Sequence, residues 1–244
     1  MFQYPGATLP DADHNQVDLA LVTLYAPRIL FDRHEPFLPQ AVGYTVFYAD
    51  GYSPSFPRYI GLSPVGRLPA ALAIEYAIWW DWDIQHLYEL EHFWTFVDAE
   101  GVVIHAEGSW HGDFMTMHEN GRPSLHKGTH PIVYAQPGKH ALAPTSRPFW
   151  LMEQHTRRQC ADPRRAGLWI TPIFEHLLTP YKTAEADCLA NAFLETQVFE
   201  PAFAWDQAFD ITAELLLPWT MLANWIPHRI RWVLAQLQLA MQEK

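Results

Sequence analysis

A two-residue alternation in the middle of the chain constrains the fold more than any other feature. Ile74, Tyr76, Ile78, Trp80 and Trp82 alternate with Glu75, Ala77, Trp79, Asp81 and Asp83. A helix would scatter these residues around its circumference, whereas a strand gathers them into one apolar and one mixed face. A second segment, Tyr88 to Val97, reaches a third, Val102 to Ser109, through Asp98-Ala99-Glu100-Gly101, a connection of hairpin length that makes the two antiparallel. Asn120-Gly121 marks another turn, and Pro131-Ile132-Val133-Tyr134-Ala135 a further short strand.

The flanks read differently. Val17, Ala20, Leu21 and Leu24 recur at helical spacing, with Asp13 and Gln16 as a capping box and Pro27 as the stop, which predicts a helix from about Asp13 to Tyr25. Ile29-Leu30-Phe31 and the run from Gly43 to Tyr48 are short extended segments, and the proline-rich stretch 51–70 reads as loop. Beyond Pro144 the pattern turns helical, cut into short pieces by Pro148, Pro163, Pro172 and Pro180. Ala186, Leu189, Ala190, Phe193, Leu194 and Val198 then predict one amphipathic helix, and Ile230, Val233, Leu234, Leu237 and Met241 another that begins near Pro227. Strands in the middle and helices at both ends predict the α+β class. The expected architecture is an antiparallel β-sandwich core over residues 1–180 with an N-terminal helix, and a helical C-terminal extension, 181–244, packed on it.

Composition removes several function classes. With 49% hydrophobic and 18% charged residues the chain has enough apolar side chains for a core and is not a disordered one. Its 27 acidic against 16 basic residues give a net charge of −11, which argues against a nucleic-acid partner, since few cations are present to displace counterions. Arg157-Arg158 and Arg164-Arg165 are the one basic knot, read as a solvated face or an anion contact. No apolar run approaches the roughly 18 residues of a membrane span. The opening residues show no secretory pattern, and Cys160 and Cys188 have no zinc or redox spacing, so a cytoplasmic protein is expected.

Chemistry concentrates between Trp79 and His140. That window of 62 residues holds eight of the 13 histidines (His86, His92, His105, His111, His118, His126, His130 and His140), where even spreading gives about three. Asp81, Asp83, Glu89, Glu91, Glu107 and Asp113 are interleaved with them. By the two-residue period Asp81 and Asp83 share a face, Glu89 and Glu91 share one with His92 opposite, and His105, Glu107, Ser109 and His111 share another. Charged groups on one strand face are most often simply solvated, and histidines among tryptophans are often satisfied interior groups. A surplus of carboxylates beside imidazoles also suits a divalent cation, with zinc, manganese and calcium not distinguished by the residues alone.

Two stretches resemble a known family. Tyr25-Ala26-Pro27-Arg28-Ile29-Leu30-Phe31-Asp32 with Glu35-Pro36-Phe37-Leu38-Pro39 looks like the opening of the vacuolar-protein-sorting Vps-sixty-two-like proteins, relatives of the necrosis- and ethylene-inducing toxins. His130-Pro131-Ile132-Val133-Tyr134-Ala135 and Gly138-Lys139-His140-Ala141 are similar to that family's late strand and turn. The resemblance covers roughly residues 20 to 145 and implies a β-sandwich which, in the toxins, carries a divalent metal used in recognising sphingolipid sugar headgroups. The central motif departs from the family's acid-rich pattern: aligning on Trp94 keeps His92 but puts Phe93 and Thr95 where acids stand. The run from Trp80 to His92 looks instead like the signature of a separate bacterial branch.

The expected site therefore has Asp81, Asp83, Glu91, His92 and His111 on a divalent ion, and Glu89 and Glu107 as acid and base. Trp80, Trp82 and Trp110 are its stacking platforms, with His130 and His140 beside the ligand. The ligand is a small polar molecule of sugar or headgroup kind, and an enzyme built this way would be a metal-dependent hydrolase. Ser109 is set aside as a nucleophile, because Gly108-Ser109-Trp110-His111-Gly112 lacks the strand-to-helix elbow pattern. The rival expectation is an interaction module, self-associating or partner-binding, that uses the C-terminal aromatics Trp205, Phe209, Trp219, Trp225 and Trp232.

Overall fold

The computed structural model describes residues 6–10, 16–64, 68–162 and 166–242. The Asp13 cap and the Arg164-Arg165 half of the basic knot lie outside them. The first half of the chain forms α1 (Gln16–Leu24), β1 (Arg28–Phe31), β2 (Ala41–Phe47), β3 (Gly51–Tyr52), β4 (Tyr59–Ile60), β5 (Leu72–Asp83), β6 (His86–Val97), β7 (Val103–Trp110) and β8 (Asp113–Thr116). There follow β9 (Leu125–His126), β10 (His130–Ala135), β11 (Leu142–Ala143), α2 (Arg147–Leu151), α3 (Glu153–Ala161), α4 (Glu175–Leu178) and α5 (Ala184–Leu194). The chain ends in β12 (Gln207–Asp210), β13 (Leu216–Pro218) and α6 (Trp219–Gln242).

Two sheets form an α+β sandwich. The larger runs β13-β2-β5-β6-β7-β8, and the smaller β11-β10-β1-β12 with β9 beside β10. They meet through aromatic side chains: Phe31 of β1 stands edge-on to Trp80 of β5 at 6.4 Å and to Phe209 of β12 at 6.1 Å. Burying such rings supplies about 1.5–3 kcal/mol each.

Four expectations need correction. The sandwich is not wholly antiparallel, because β1 pairs parallel with β10 and β13 parallel with β2. In both cases the two strands are far apart in sequence, and only crossover connections link them. The C-terminal region is not wholly helical either: β12 and β13 add an edge strand to each sheet, and both are too short to show a period. Finally, α6 does not begin at Pro227 but eight residues earlier, with Pro227 inside it. Leu222, Trp225 and Ile226 before the proline and Ile230 and Val233 after it form one buried stripe, so packing outweighs the lost hydrogen bond. The stretch 51–70 also contains the small β3–β4 hairpin where only loop was expected.

Helix α6 covers the outside of the larger sheet, with Trp79 edge-on to Trp225 at 6.5 Å. Among the C-terminal aromatics, Trp219 and Trp225 are thus buried within this chain. No helix among the described residues is long and apolar enough to cross a membrane. The helix can approach β2 closely because position 43 has no side chain: a Cβ there would lie 2.8 Å from Leu222 Cδ2 and 3.1 Å from Trp219 Cε3. Strand propensity alone makes Gly43→Val stabilising. Contact with α6 makes it destabilising by about 1–3 kcal/mol, measured as a lower urea midpoint at unchanged slope.

Candidate functional site

The site grows from the turn between β5 and β6. Only Ile84 and Gln85 separate the strands, so Asp83 and His86 become cross-strand partners. The ladder continues as Trp82 with Leu87 and Trp80 with Glu89, but skips the pair Asp81 and Tyr88. Tyr88 has φ 62°, a left-handed conformation that costs a tyrosine of order 1 kcal/mol. Its surroundings hold it there: the ring stacks on Trp79 at 4.7 Å and 9°, and the hydroxyl accepts the Thr171 N–H at 3.1 Å.

This break overturns the expectation that Asp81 and Asp83 share a site. Asp81 faces α6, where Arg229 donates from Nη2 at 2.7 Å and from Nε at 2.9 Å. Asp83 is buried on the other side, paired with Lys139 and accepting the Gln85 N–H at 2.5 Å. Trp80 and Trp82 diverge in the same way, Trp80 stacking on His140 at 4.7 Å and Trp82 meeting Phe193 of α5 at 4.3 Å.

Beside the turn lies a cleft of about 750 Å³. Its floor is the β6 stretch 88–92, its walls the β3–β4 loop 53–57 and the segment 169–173, and its rim carries His86, His111 and Lys139. Asp83, His86 and Glu89 each point one ligand atom to a common place, all within 4.8 Å of one another. His86 Nε2 is 3.8 Å from Asp83 Oδ1 and 3.9 Å from Glu89 Oε2. Both separations are too long for hydrogen bonds. Glu89 Oε1 accepts the Leu90 N–H at 2.8 Å, which leaves Oε2 toward the histidine.

The ring orientation of His86 tests whether a metal fits. Its Nδ1 lies 2.8 Å from the carbonyl oxygen of Tyr88, which can only accept, so Nδ1 carries the proton. Nε2 then stands between two carboxylate oxygens, an arrangement that a proton on Nε2 or a cation among the three would stabilise. A carbonyl fixing the far nitrogen is the usual support of a metal-bound histidine. Metal bonds of about 2.0–2.4 Å place donors on one ion about 3–4 Å apart, in line with the separations seen. The three residues could therefore hold a divalent cation.

Charge near the cleft is finely divided. Burial opposes ionisation of Asp83, but His86 and Lys139 hold its carboxyl below the usual carboxylate range. Glu91 is pushed up to about 8, by burial first and then by Glu89, and Ser109 donates to it while accepting the His92 N–H at 2.6 Å. His92 is driven down to about 3 by burial, with Arg58 adding to the effect. It meets Ser55 Oγ at 3.0 Å, and Ser55 donates to buried Glu75 at 2.5 Å, so this trio ties the β3–β4 loop to the sheet.

Of the residues expected in the site, Asp83, Glu89, Glu91, His92 and His111 gather at or beside the cleft. The others do not. Glu107 lies under the β3–β4 hairpin, bonded to Arg58 at 2.7 Å and to His105 at 3.1 Å; burial opposes its ionisation, yet these partners hold it below the usual range. Trp80 is fully buried and cannot act as a platform, Trp82 packs on α5, and Trp110 stacks on Phe149 at 5.7 Å. His140 is buried against Glu35 between the sheets, and His130 Nδ1 bonds the Ala26 carbonyl at 2.9 Å. His86, Lys139 and Trp169 were not anticipated. The spacing Asp83-x-x-His86-x-x-Glu89 holds the signal, but it becomes one only once Ile84-Gln85 is known to be a turn, and neither residue is a usual turn former.

No family model matches the chain, and no curated protein matches it. Among solved structures it is similar to a triple mutant of NLPPya, a necrosis- and ethylene-inducing-like protein, at 16% identity over 58% of this chain and 74% of that one, with a TM-score of 0.38. NLPPya in complex with glucosamine is 16% identical, and in complex with mannosamine 17%, each over 58% of this chain and 72% of the other at a TM-score of 0.35. No residue role is transferred from these structures.

His92 gives this region a pH signature. Its pKa is about 3 when folded against 6.5 as the ordinary value, so below pH 6.5 the unfolded chain binds a proton that the folded one does not. The stability it contributes is complete above that pH and is lost toward pH 3, by up to about 1.4 kcal/mol per unit. His92→Gln should flatten the fall in unfolding free energy between pH 6.5 and 4. An unchanged slope contradicts the burial of a neutral ring.

Proposed function

We propose that the cleft holds a divalent cation through Asp83, His86 and Glu89 and uses it to bind a small oxygen-bearing ligand of sugar or headgroup kind. The observation that carries this reading is the His86 ring, its Nδ1 proton given to the Tyr88 carbonyl and its Nε2 set between two carboxylates. When bound, the ion supplies Lewis-acid polarisation of a ligand oxygen.

The protein's own groups account for the rest. Lys139 offsets the charge of Asp83 and leaves ammonium protons for the ligand. Tyr88 fixes the histidine ring through its carbonyl, while Trp169, more than half exposed at the cleft wall, offers an indole face to the bound molecule. Asp81 has no part in holding the ion, since Arg229 claims it.

The test is metal content by mass spectrometry after dialysis, together with melting in chelator. Wild-type protein should retain near-stoichiometric zinc or manganese and melt lower once stripped, by an amount that follows mass action. His86→Ala and Glu89→Gln should lose both properties. Asp81→Asn should keep the ion, although breaking a buried pair lowers stability by about 3 kcal/mol. Loss of metal in Asp81→Asn with retention in His86→Ala would sink the assignment.

A further inference from the structure

Most polar side chains that border the cleft are already occupied within the protein. Ser53 Oγ accepts the N–H groups of Ser55 at 3.2 Å and Phe56 at 2.8 Å, and Ser55 is spent on Glu75 and His92. Thr171 meets the Tyr88 hydroxyl through both Oγ1, at 3.2 Å, and N–H, at 3.1 Å. Glu91 receives the Ser109 hydroxyl, and His111 Nε2 is 3.1 Å from the Gln136 amide oxygen. His92 Nδ1 has no partner, but it is closed off from solvent.

The largest remaining polar group is Glu89 Oε2, His86 Nε2 and the Lys139 protons not given to Asp83. Elsewhere the walls are apolar, made by Phe56, Leu90, Trp169 and Ile173. A ligand with hydroxyls on every side would lose water against these walls without gaining partners.

The geometry points to a ligand with one compact head and an apolar body. The head carries two adjacent oxygens, at least one of them anionic, for the ion and Lys139; the body is a flat aryl or short branched group against Phe56, Leu90, Trp169 and Ile173. A cleft of about 750 Å³ holds a single small molecule of this kind. An α-hydroxy carboxylate with an aryl substituent is the simplest example, and a polyol with hydroxyls on every side is the poorer fit. This inference rests on the metal reading above, whose sugar-or-headgroup class it narrows to a head borne on an apolar body.

The experiment is calorimetric titration of the manganese- or zinc-loaded full chain with lactate, 3-phenyllactate and glucosamine. Lactate and 3-phenyllactate share a head and differ in the apolar body. The expected result is 3-phenyllactate at least about tenfold tighter than lactate, with glucosamine weakest. Trp169→Ala should abolish most of that ratio, and stripping the ion should weaken both acids. Equal affinities for the two acids, glucosamine as the tightest, or no binding by any of the three to ion-loaded protein would each overturn the inference. If the ion is retained in those cases, the metal site stands without it. If the advantage of 3-phenyllactate survives in stripped protein and in His86→Ala, the apolar wall is upheld and the metal reading fails.

Discussion

The left-handed backbone at Tyr88 is the constraint on which the site depends. It interrupts one rung of a long hairpin, turns a carbonyl toward the His86 ring, and separates Asp81 from Asp83. A tyrosine adopts that conformation only where its surroundings over-determine it. Here Trp79 stacks on the ring and Thr171 binds the hydroxyl, so the strained residue is clamped between the sheet and the cleft wall. Strain, packing and ligand geometry are thus one local arrangement.

Three carboxylates of the larger sheet are each held by a basic side chain from elsewhere in the chain. Asp81 takes Arg229 of α6, Asp83 takes Lys139 of the loop after β10, and Glu107 takes Arg58 of the β3–β4 hairpin. Arg58 also lies over the rings of Trp94 at 4.4 Å and Phe114 at 3.8 Å. Buried pairs of this type add little net stability, because desolvation opposes the attraction. Their effect is on placement, since leaving either partner alone is costly. The pairs fix where a helix, a loop and a hairpin sit on the sheet, and the cleft is the space left between the hairpin and the segment after α3.

Much of the fold was legible because strand period and helix period differ so plainly. The alternation from Ile74 to Asp83 marked β5, and the Asp98–Gly101 connection marked the β6–β7 hairpin. Segments of three or four residues such as β12 and β13 carry no period, and whether strands run parallel depends on crossovers that no local pattern records. The site was half legible. The excess of histidines and acids pointed to the right region, and Asp83, Glu89, Glu91, His92 and His111 do gather there. Alternation then misplaced Asp81, Trp80 and Trp82, since it assumes a regular pleat through the one rung where Tyr88 breaks it. His86 went unassigned because Ile84-Gln85 does not look like a turn.

The most direct measurement is a crystal structure of manganese- or zinc-soaked protein with an anomalous difference map. The account predicts a peak about 2.0–2.4 Å from His86 Nε2 and from oxygens of Asp83 and Glu89, with His86 Nδ1 still bonded to the Tyr88 carbonyl. A map with no peak there, or with the ion on other residues, would contradict it.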